Sequence, residues 1–189
     1  MPGKVAASTP VGTYDCNGST GFTVESHVKF GGDPPSVRTQ LLWGSSVSTS
    51  SSQVIGMGVR VNGAGTKEIA CRCNVTDHYS VIAIADSNYH QIACTFCGSS
   101  SSGDCAVAGA GSSCAYLDGV LQGCGGVDTV SRTYAAGFVA ASNNTNFLPT
   151  LNITVQETRH WSGIRTASQQ QANLNCTMDS AASGLTSVW

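Results

Sequence analysis

Cysteine is the residue type whose number and spacing point most directly to chemistry in this sequence, with nine in 189 residues. Thiols at this density form disulfides in an oxidising compartment or bind metal in a reducing one. A four-thiolate zinc site could be built from Cys71, Cys73, Cys94 and Cys97. The first two of these are separated by a single residue, which is tighter than the usual zinc spacing. Disulfides are therefore the better interpretation.

Local spacing predicts two disulfides. Cys97 and Cys105 bracket a short loop, which favours one pair. Cys114 and Cys124 lie nearly symmetrically about a predicted hairpin turn, which favours a second.

The remaining cysteines leave the connectivity open. We expect Cys16 and Cys176 to join the two ends of the domain. Cys73 and Cys94 are further disulfide candidates, with Cys71 beside them. Because nine is odd, one thiol must be free or bonded to another chain.

Five Asn-x-Ser/Thr triplets accompany the cysteines and predict N-glycosylation. They begin at Asn17, Asn74, Asn143, Asn152 and Asn175. Together with the cysteines they predict a secreted, extracellular glycoprotein. Residues 1–4 are followed by no apolar run of the kind that signal peptides have, so we interpret the chain as a mature fragment or one repeat of a longer protein.

Charge is sparse and balanced. Charged residues make up 11% of the chain, the formal net charge is -2, and the nine Lys and Arg are scattered. Nucleic acids and anionic membranes require a concentrated basic face, so neither is an expected partner. No apolar stretch approaches the roughly 20 residues of a membrane-spanning helix.

Short alternations of apolar and polar residues, bounded by Gly, Ser and Asn, recur along the chain and predict strands. In residues 22–30, FTVESHVKF, side chains such as Val24 and Val28 share the core face of a half-buried strand, while Glu25 lies on the other face. The sequence LDGV predicts a two-residue hairpin turn at positions 118–119.

One helix is predicted in residues 165–175, where Thr166 and Gln169 have capping-box spacing. Residues 44–53 and 97–114 are rich in Ser and Gly and are expected to form long exposed loops.

In chain order, the segments FTVESHVKF, NYHQIACTF, AYLDGVLQG and ETRHWSGIRTASQQQANL resemble the laminin-G-like jelly rolls of the concanavalin A-like lectin and glucanase superfamily. The match spans positions 12 to 178. The resemblance implies an all-β sandwich of two antiparallel sheets with about a dozen strands and one short helix near the C-terminus. We accordingly expect one jelly-roll domain over residues 1–178.

The C-terminal hexapeptide GLTSVW, residues 184–189, departs from this pattern. It resembles the opening strand of the family, which the N-terminal residues do not supply. A missing strand leaves unpaired backbone groups, and we expect Leu185, Val188 and Trp189 to fill that slot. The small, polar residues 179–183 form a predicted linker.

Three occupants of the slot are compatible with the sequence. The strand could fold back into its own domain, could belong to the next of several tandem repeats, or could insert into a neighbouring copy. Head-to-tail insertion need not close on itself and would produce a filament.

Glycoside hydrolysis is the enzymatic activity that the superfamily raises, and it needs two carboxylates roughly 5–10 Å apart. The three glutamates, Glu25, Glu68 and Glu157, are isolated in the sequence. No acidic cluster suggests a catalytic pair, and we expect no enzymatic activity and no cofactor.

The resemblance also raises calcium and sugar binding. Loop candidates for calcium are Asp33, Asp104, Asp128, Asn143 and Asn144, although no Asp-x-Asp ladder links them. Aromatic candidates for sugar contact are His27, Trp43, Tyr79, Tyr89 and Trp161. Turn-forming and core roles are the competing interpretations of these residues.

The sequence thus predicts a non-catalytic, disulfide-stabilised, secreted module with a structural or adhesive role, whose partners are copies of itself or neighbouring repeats. The alternative is a monomeric lectin for an extracellular polysaccharide, with calcium as a conditional ligand.

Overall fold

The computed structural model describes residues 12–31, 40–44, 54–62, 64–74, 76–81, 84, 86–99, 102–128, 134–138, 153–175 and 182–188. These residues form a sandwich of two six-stranded antiparallel sheets. In spatial order, the first sheet contains β1 (Gly12–Tyr14), β10 (Tyr134–Phe138), β3 (Gln40–Gly44), β4 (Val54–Val61), β5 (Lys67–Asn74) and β6 (Thr76–Val81). The second contains β12 (Leu185–Val188), β11 (Ile153–Trp161), β2 (Phe22–Phe30), β7 (Tyr89–Phe96), β8 (Ser113–Leu117) and β9 (Val120–Gly125). The predicted all-β sandwich is confirmed.

The predicted helix is present as α2 (Ala167–Ala172), and both hydrogen bonds of its capping box between Thr166 and Gln169 are formed. A second helix, α1 (Asp104–Ala108), lies in the segment that was expected to be a loop. Because Cys105 is fully buried there and bonded to Cys97, the short helix is tied to the core despite its polar surroundings. Neither described helix is long and apolar enough to cross a membrane.

The core between the sheets contains an aromatic cluster that extends to one end of the sandwich. Phe22 and Phe96 stack with ring centroids 4.6 Å apart, and Trp43 of the facing sheet is 5.7 Å from Phe22. Trp43 is fully buried. Tyr14 lies at the rim of this cluster, 5.1 Å from the Trp43 ring. Aromatic contacts of this kind stabilise the end of the sandwich beyond the area they bury.

The outer face of β2 differs from the sequence prediction. Alternation predicts solvent on that side, but Thr23 and Glu25 are both fully buried. The segment that follows β11 folds over them, and Thr23 Oγ1 donates a hydrogen bond to the carbonyl of Gly163 at 3.1 Å. A polar face is buried here because a polar segment covers it and supplies hydrogen-bond and ion-pair partners.

Four disulfides are formed, and two of them are the expected pairs Cys97–Cys105 and Cys114–Cys124. The expected Cys16–Cys176 pair is wrong, because Cys16 is bonded to Cys73 of β5, with the two Cα atoms 6.3 Å apart. Cys176 lies outside the described residues.

The remaining disulfide, Cys71–Cys94, joins β5 of one sheet to β7 of the other. Every cysteine of the hypothetical zinc site is therefore a disulfide partner. The sulfurs of Cys97, Cys105 and Cys114 cluster within 4.8 Å, but as disulfide sulfurs they offer no thiolate to a metal.

The C-terminal strand pairs with its own domain. β12 lies antiparallel to β11 at the edge of the second sheet, with Arg159 opposite Val188 and Trp161 opposite Leu185. The first strand, β1, pairs instead with β10 in the other sheet. Within the described residues, the slot beside the end of β11 is therefore occupied by the tail and not by the front of the chain.

Candidate functional site

A pocket of about 400 Å³ opens at the end of the sandwich where β2 begins and β11 ends. We call it the end pocket. Its lining combines aromatic rings, hydroxyls and one carboxylate from three parts of the chain: Tyr14, Asp15, Gly18, Ser19, Thr20, Gly21, Phe22, His160, Ser162 and Thr186. Pockets of this size and mixed character are typical of small-molecule sites.

The first wall is the loop of residues 15–21, and several contacts hold it in place. Asp15 Oδ1 accepts the backbone N–H of Asn17 at 2.9 Å, which orients the carboxylate. The Cys16–Cys73 disulfide ties the loop to β5. The backbone N–H of Ser99 donates to the carbonyl of Gly18 at 2.9 Å. This wall is therefore built before any ligand arrives.

Glycine at position 98 is a requirement of that arrangement. A Cβ atom there would lie 2.6 Å from both the Gly18 oxygen and the Gly21 nitrogen, and these are backbone atoms. Since real Cβ atoms do not approach so closely, any other residue at Gly98 would push the loop away from β7.

The second wall is the C-terminal strand. The backbone N–H of Ser162 donates to the carbonyl of Gly184 at 2.8 Å, at the start of that strand. The hydroxyl of Thr186 donates to the carbonyl of His160 at 3.0 Å, and the same oxygen contacts His160 Nδ1. A hydroxyl has one hydrogen to donate. The oxygen must therefore accept from the imidazole, which places the proton of neutral His160 on Nδ1.

The floor is the rim of the aromatic cluster. The Tyr14 and His160 ring centroids are 4.6 Å apart, and Trp43 stacks on His160 from below at 5.8 Å. His160 is 2% exposed, and its Nε2 has no hydrogen-bond partner among the described residues. Burial lowers the pKa of His160 to about 4, because a second proton would lie on this unpartnered nitrogen. The ring is therefore neutral at physiological pH.

The aromatic residues that the sequence proposed for sugar contact do not line this pocket. Trp43 and Trp161 are buried, and the Arg165 guanidinium covers the Trp161 ring at 3.9 Å. His27 Nε2 donates to the carbonyl of Leu174 at 3.0 Å. Tyr89 is 44% exposed on another part of the surface, and the Tyr79 side chain lies outside the described residues.

Each of the three glutamates forms an ion pair with arginine. Glu25 is fully buried beneath the segment after β11, 3.7 Å from Arg159 and 3.6 Å from Arg165. Burial raises the pKa of Glu25, and Arg165 and Arg159 oppose that rise. Glu157 pairs with Arg159 at 2.5 Å. Glu68 pairs with Arg60, also at 2.5 Å.

The structure describes only some of the calcium and glycosylation candidates. Asp104 accepts a hydrogen bond from the Tyr116 hydroxyl at 2.9 Å, and Asp128 is buried. Asp33, Asn143, Asn144 and Asn152 lie outside the described residues, as does the Asn74 side chain. Asn175 is exposed just after α2, and Asn17 belongs to the first wall of the end pocket. Their modification and any calcium site stay predictions.

Sequence reasoning missed the residues of the end pocket. Ser19, Thr20 and Ser162 belong to turn-rich stretches whose composition is that of any loop. His160 lies in a segment that the family resemblance highlighted, but its position toward the pocket depends on the register between β11 and β2, where it is opposite Val24. Only the assembled sandwich brings these side chains together.

Comparison with solved structures places the fold. A heptameric SAP-like pentraxin from Limulus polyphemus is similar with a TM-score of 0.55 and 14% identity, over 85% of this chain and 74% of the pentraxin. A putative carbohydrate binding protein from Bacteroides ovatus has a TM-score of 0.60 and 16% identity, over 95% of this chain and 46% of that protein. Trypanosoma rangeli sialidase has a TM-score of 0.54 and 12% identity, over 82% of this chain and 22% of the sialidase.

At these identities each likeness shows the fold alone. The chain therefore shares its two-sheet antiparallel fold with these structures. Membership of the concanavalin A-like superfamily, and of its laminin-G-like branch, stays a prediction. No protein-family model matches the sequence, and no curated protein sequence matches it.

Proposed function

We propose that this protein is a secreted, non-catalytic adhesive module that binds glycans in the end pocket. The observation that carries the proposal is the lining of that pocket. Sugar rings present an apolar face to aromatic side chains and hydroxyls to polar groups, and the pocket is lined by Tyr14 and Phe22 together with Ser19 and Thr20. The lectin-like architecture supports the same reading at the level of fold.

The number of carboxylates that line the pocket supports glycan binding without hydrolysis. Asp15 is the one carboxylate among its described lining residues. Retaining and inverting glycosidases typically place two carboxyl groups on either side of the scissile bond. Glu25 and Glu157, which share Arg159, lie in the covered layer outside the sandwich and do not line the pocket.

The disulfides support the extracellular assignment. Eight cysteines are paired in four bridges, and such pairing persists in oxidising compartments. The glycosylation triplet at exposed Asn175 agrees with the same compartment.

A glycan array probed with the purified protein tests this function directly. We expect binding to a defined set of glycans, and we expect it to persist in the presence of a chelator, because a single carboxylate is a poor calcium site. Binding lost on chelation would mean that calcium completes the site. An array with no bound glycan would contradict the proposed function.

Strand exchange between copies is a second candidate function, and the edge position of β12 favours it. Leu185 is half-buried and Val188 is 40% exposed, so the strand is a shallow attachment and not part of the core. Trp189 lies outside the described residues. A terminal edge strand that pairs with only three residues of β11 could pair with the same edge of a second copy.

Deletion of residues 184–189 tests this assembly. If copies exchange β12, the intact protein forms filaments or oligomers that electron microscopy and light scattering detect, and the truncated protein is monomeric. Val107→Ser serves as a control, because Val107 is 93% exposed on α1 and lies outside β12. A truncated protein that still polymerises would exclude this mechanism.

A further inference from the structure

We infer that the end pocket selects an uncharged terminal sugar over an anionic one, and that the C-terminal strand is an integral wall of that binding site. The inference rests on the proposed function and adds to it the class of ligand and the location of the contact.

Charge in the pocket argues for an uncharged ligand. Its described lining contains the Asp15 carboxylate and neither lysine nor arginine. His160 adds no positive charge at physiological pH, because burial lowers its pKa to about 4. Burial also raises the pKa of Tyr14, so its hydroxyl stays neutral. Binding a sialic acid, a uronic acid or a sulfated sugar would place like charges together in a partly desolvated site.

The polar groups of the pocket match the hydroxyls of a neutral sugar. Asp15 is held in one orientation by the Asn17 N–H, so its carboxylate is preorganised as an acceptor. Ser19 and Thr20 supply hydroxyls that both donate and accept. The volume, about 400 Å³, is near the lower end of the range for small-molecule pockets. It accommodates a terminal monosaccharide.

Thr186 makes the C-terminal strand part of the site. Its hydroxyl joins β12 to His160, and the Ser162 hydroxyl donates to the Gly184 carbonyl at 3.3 Å on the same side. A ligand that touches both walls binds only when β12 is in place. By linkage, the same ligand must stabilise the seated strand.

The experiment compares neutral glycans with their acidic counterparts. Lactose and sialyllactose form a matched pair, and the array supplies each neutral glycan beside its sialylated and sulfated forms. We expect the acidic form to bind at least about tenfold more weakly, the size of effect that one unfavourable charge contact produces. Equal or tighter binding of acidic forms would overturn the inference while leaving the proposed function standing.

Two substitutions locate the site. Asp15→Asn keeps an oxygen that can accept the Asn17 N–H and removes the charge. The substitution should weaken binding of the neutral glycan about tenfold. It should also reduce the ratio between the affinities for the neutral glycan and for its acidic form. Thr186→Val keeps the side-chain shape and removes the hydroxyl, and should also weaken binding. Asp86→Asn is the matched control, because Asp86 is an exposed aspartate beside His90 and away from the pocket.

Hydrogen exchange supplies a readout that does not depend on affinity. Saturating neutral glycan should slow exchange of the backbone amides in residues 184–188, and Asp86→Asn should leave this protection unchanged. If Asp15→Asn and Thr186→Val bind like the wild type while remaining folded, the sugar binds elsewhere and the inference is wrong. If nothing on the array binds, the proposed function fails first, and this inference fails with it.

Discussion

At the scale of single residues, the environment of His160 determines its protonation state. Its Nδ1–H is committed to Thr186, its Nε2 has no described partner, and its ring is stacked on Trp43. A side chain in this environment resists protonation. The imidazole therefore acts as a neutral hydrogen-bond donor that fastens the C-terminal strand.

The pH dependence of stability should report this neutral state. The pKa of His160 falls from 6.5 in the unfolded chain to about 4 in the folded protein. The unfolded state therefore binds more protons between these values, and folding stability is lost as the pH falls from 6.5 toward 4. At about 1.4 kcal/mol per pKa unit, the full loss is about 3 kcal/mol. Urea denaturation of the wild type and of His160→Asn at pH 4.5 and pH 8 measures this loss of stability.

His90 is the matched control, because its shift has the opposite sign. Partial burial opposes its protonation, but hydrogen bonds to Asp118 and Asp86 outweigh that effect and raise its pKa. Its stabilising contribution is present below pH 6.5 and is lost as the pH rises through the raised pKa. His90→Gln should therefore lower the free energy of unfolding most at acidic pH. His160→Asn should instead remove the decrease in the free energy of unfolding that the wild type shows as the pH falls from 6.5 toward 4. Parallel pH profiles for the two variants would contradict both assignments.

Cys176 allows a prediction from arithmetic. Eight of the nine cysteines form the four disulfides, so no cysteine of the same chain is left to pair with Cys176. We expect one thiol per chain to react with N-ethylmaleimide in the denatured, non-reduced monomer, and none in Cys176→Ser. If the protein runs as a covalent dimer on a non-reducing gel, the same substitution should abolish that dimer. A monomer with no reactive thiol would mean that the disulfide assignment is wrong.

At the scale of elements, the segment after β11 covers the outer face of β2 and forms a layer that the sequence pattern did not predict. Glu25 Oε2 accepts a hydrogen bond from Gln91 at 3.1 Å, and Arg159 donates to the carbonyl of Asn173 at 3.1 Å. A polar alternation alone indicates solvent. On β2 the polar residues instead face the segment that contains α2 and interact with it. The sequence pattern of β2 does not show that this segment covers the strand.

Breaking this layer should be costly. Arg159→Met leaves buried Glu25 with Arg165, 3.6 Å away, as its remaining ion-pair partner among the described residues, and removes the hydrogen bond to the Asn173 carbonyl. Removing one partner of a buried ion pair typically costs about 3–5 kcal/mol. Urea titration should show this loss, and the double variant Glu25→Leu with Arg159→Met should recover part of it. A cost below about 1 kcal/mol, the level of an exposed pair, would contradict the burial of the layer.

Some elements were predictable because their signals are local. The turn of the β8–β9 hairpin contains Asp118 and Gly119 with φ angles of 50° and 70°, as the LDGV sequence predicts. The capping box of α2 involves two residues three positions apart. The end pocket depends on contacts between Asp15, His160 and Thr186, which lie far apart in the chain, and no local pattern signals those contacts.

At the scale of the whole molecule, the disulfides differ in how much each is expected to stabilise the sandwich. Cys16–Cys73 closes 57 residues and anchors the pocket loop, whereas Cys97–Cys105 closes only 8. A crosslink that closes a longer loop restricts the unfolded chain more. The cysteine count alone predicted that bridges exist, but the partner of Cys16 required the proximity of β5.

Removing these two bridges separately should give different losses of stability. On loop entropy, replacing both Cys16 and Cys73 by Ala should cost about 4 kcal/mol, and replacing both Cys97 and Cys105 by Ala about 2.5 kcal/mol. Guanidinium titration of the two double variants measures the difference. The reverse order would mean that local strain or packing, and not chain entropy, dominates.

The end pocket also has a consequence for biosynthesis. Its first wall is the loop of residues 15–21 and its second is the C-terminal strand, so nearly all of the described residues must be synthesised before the cavity can form. A nascent polypeptide that has not yet reached residue 184 would contain most of the described strands but not the second wall of the pocket. The pocket would thus be completed only after β12 has been synthesised and has paired with β11.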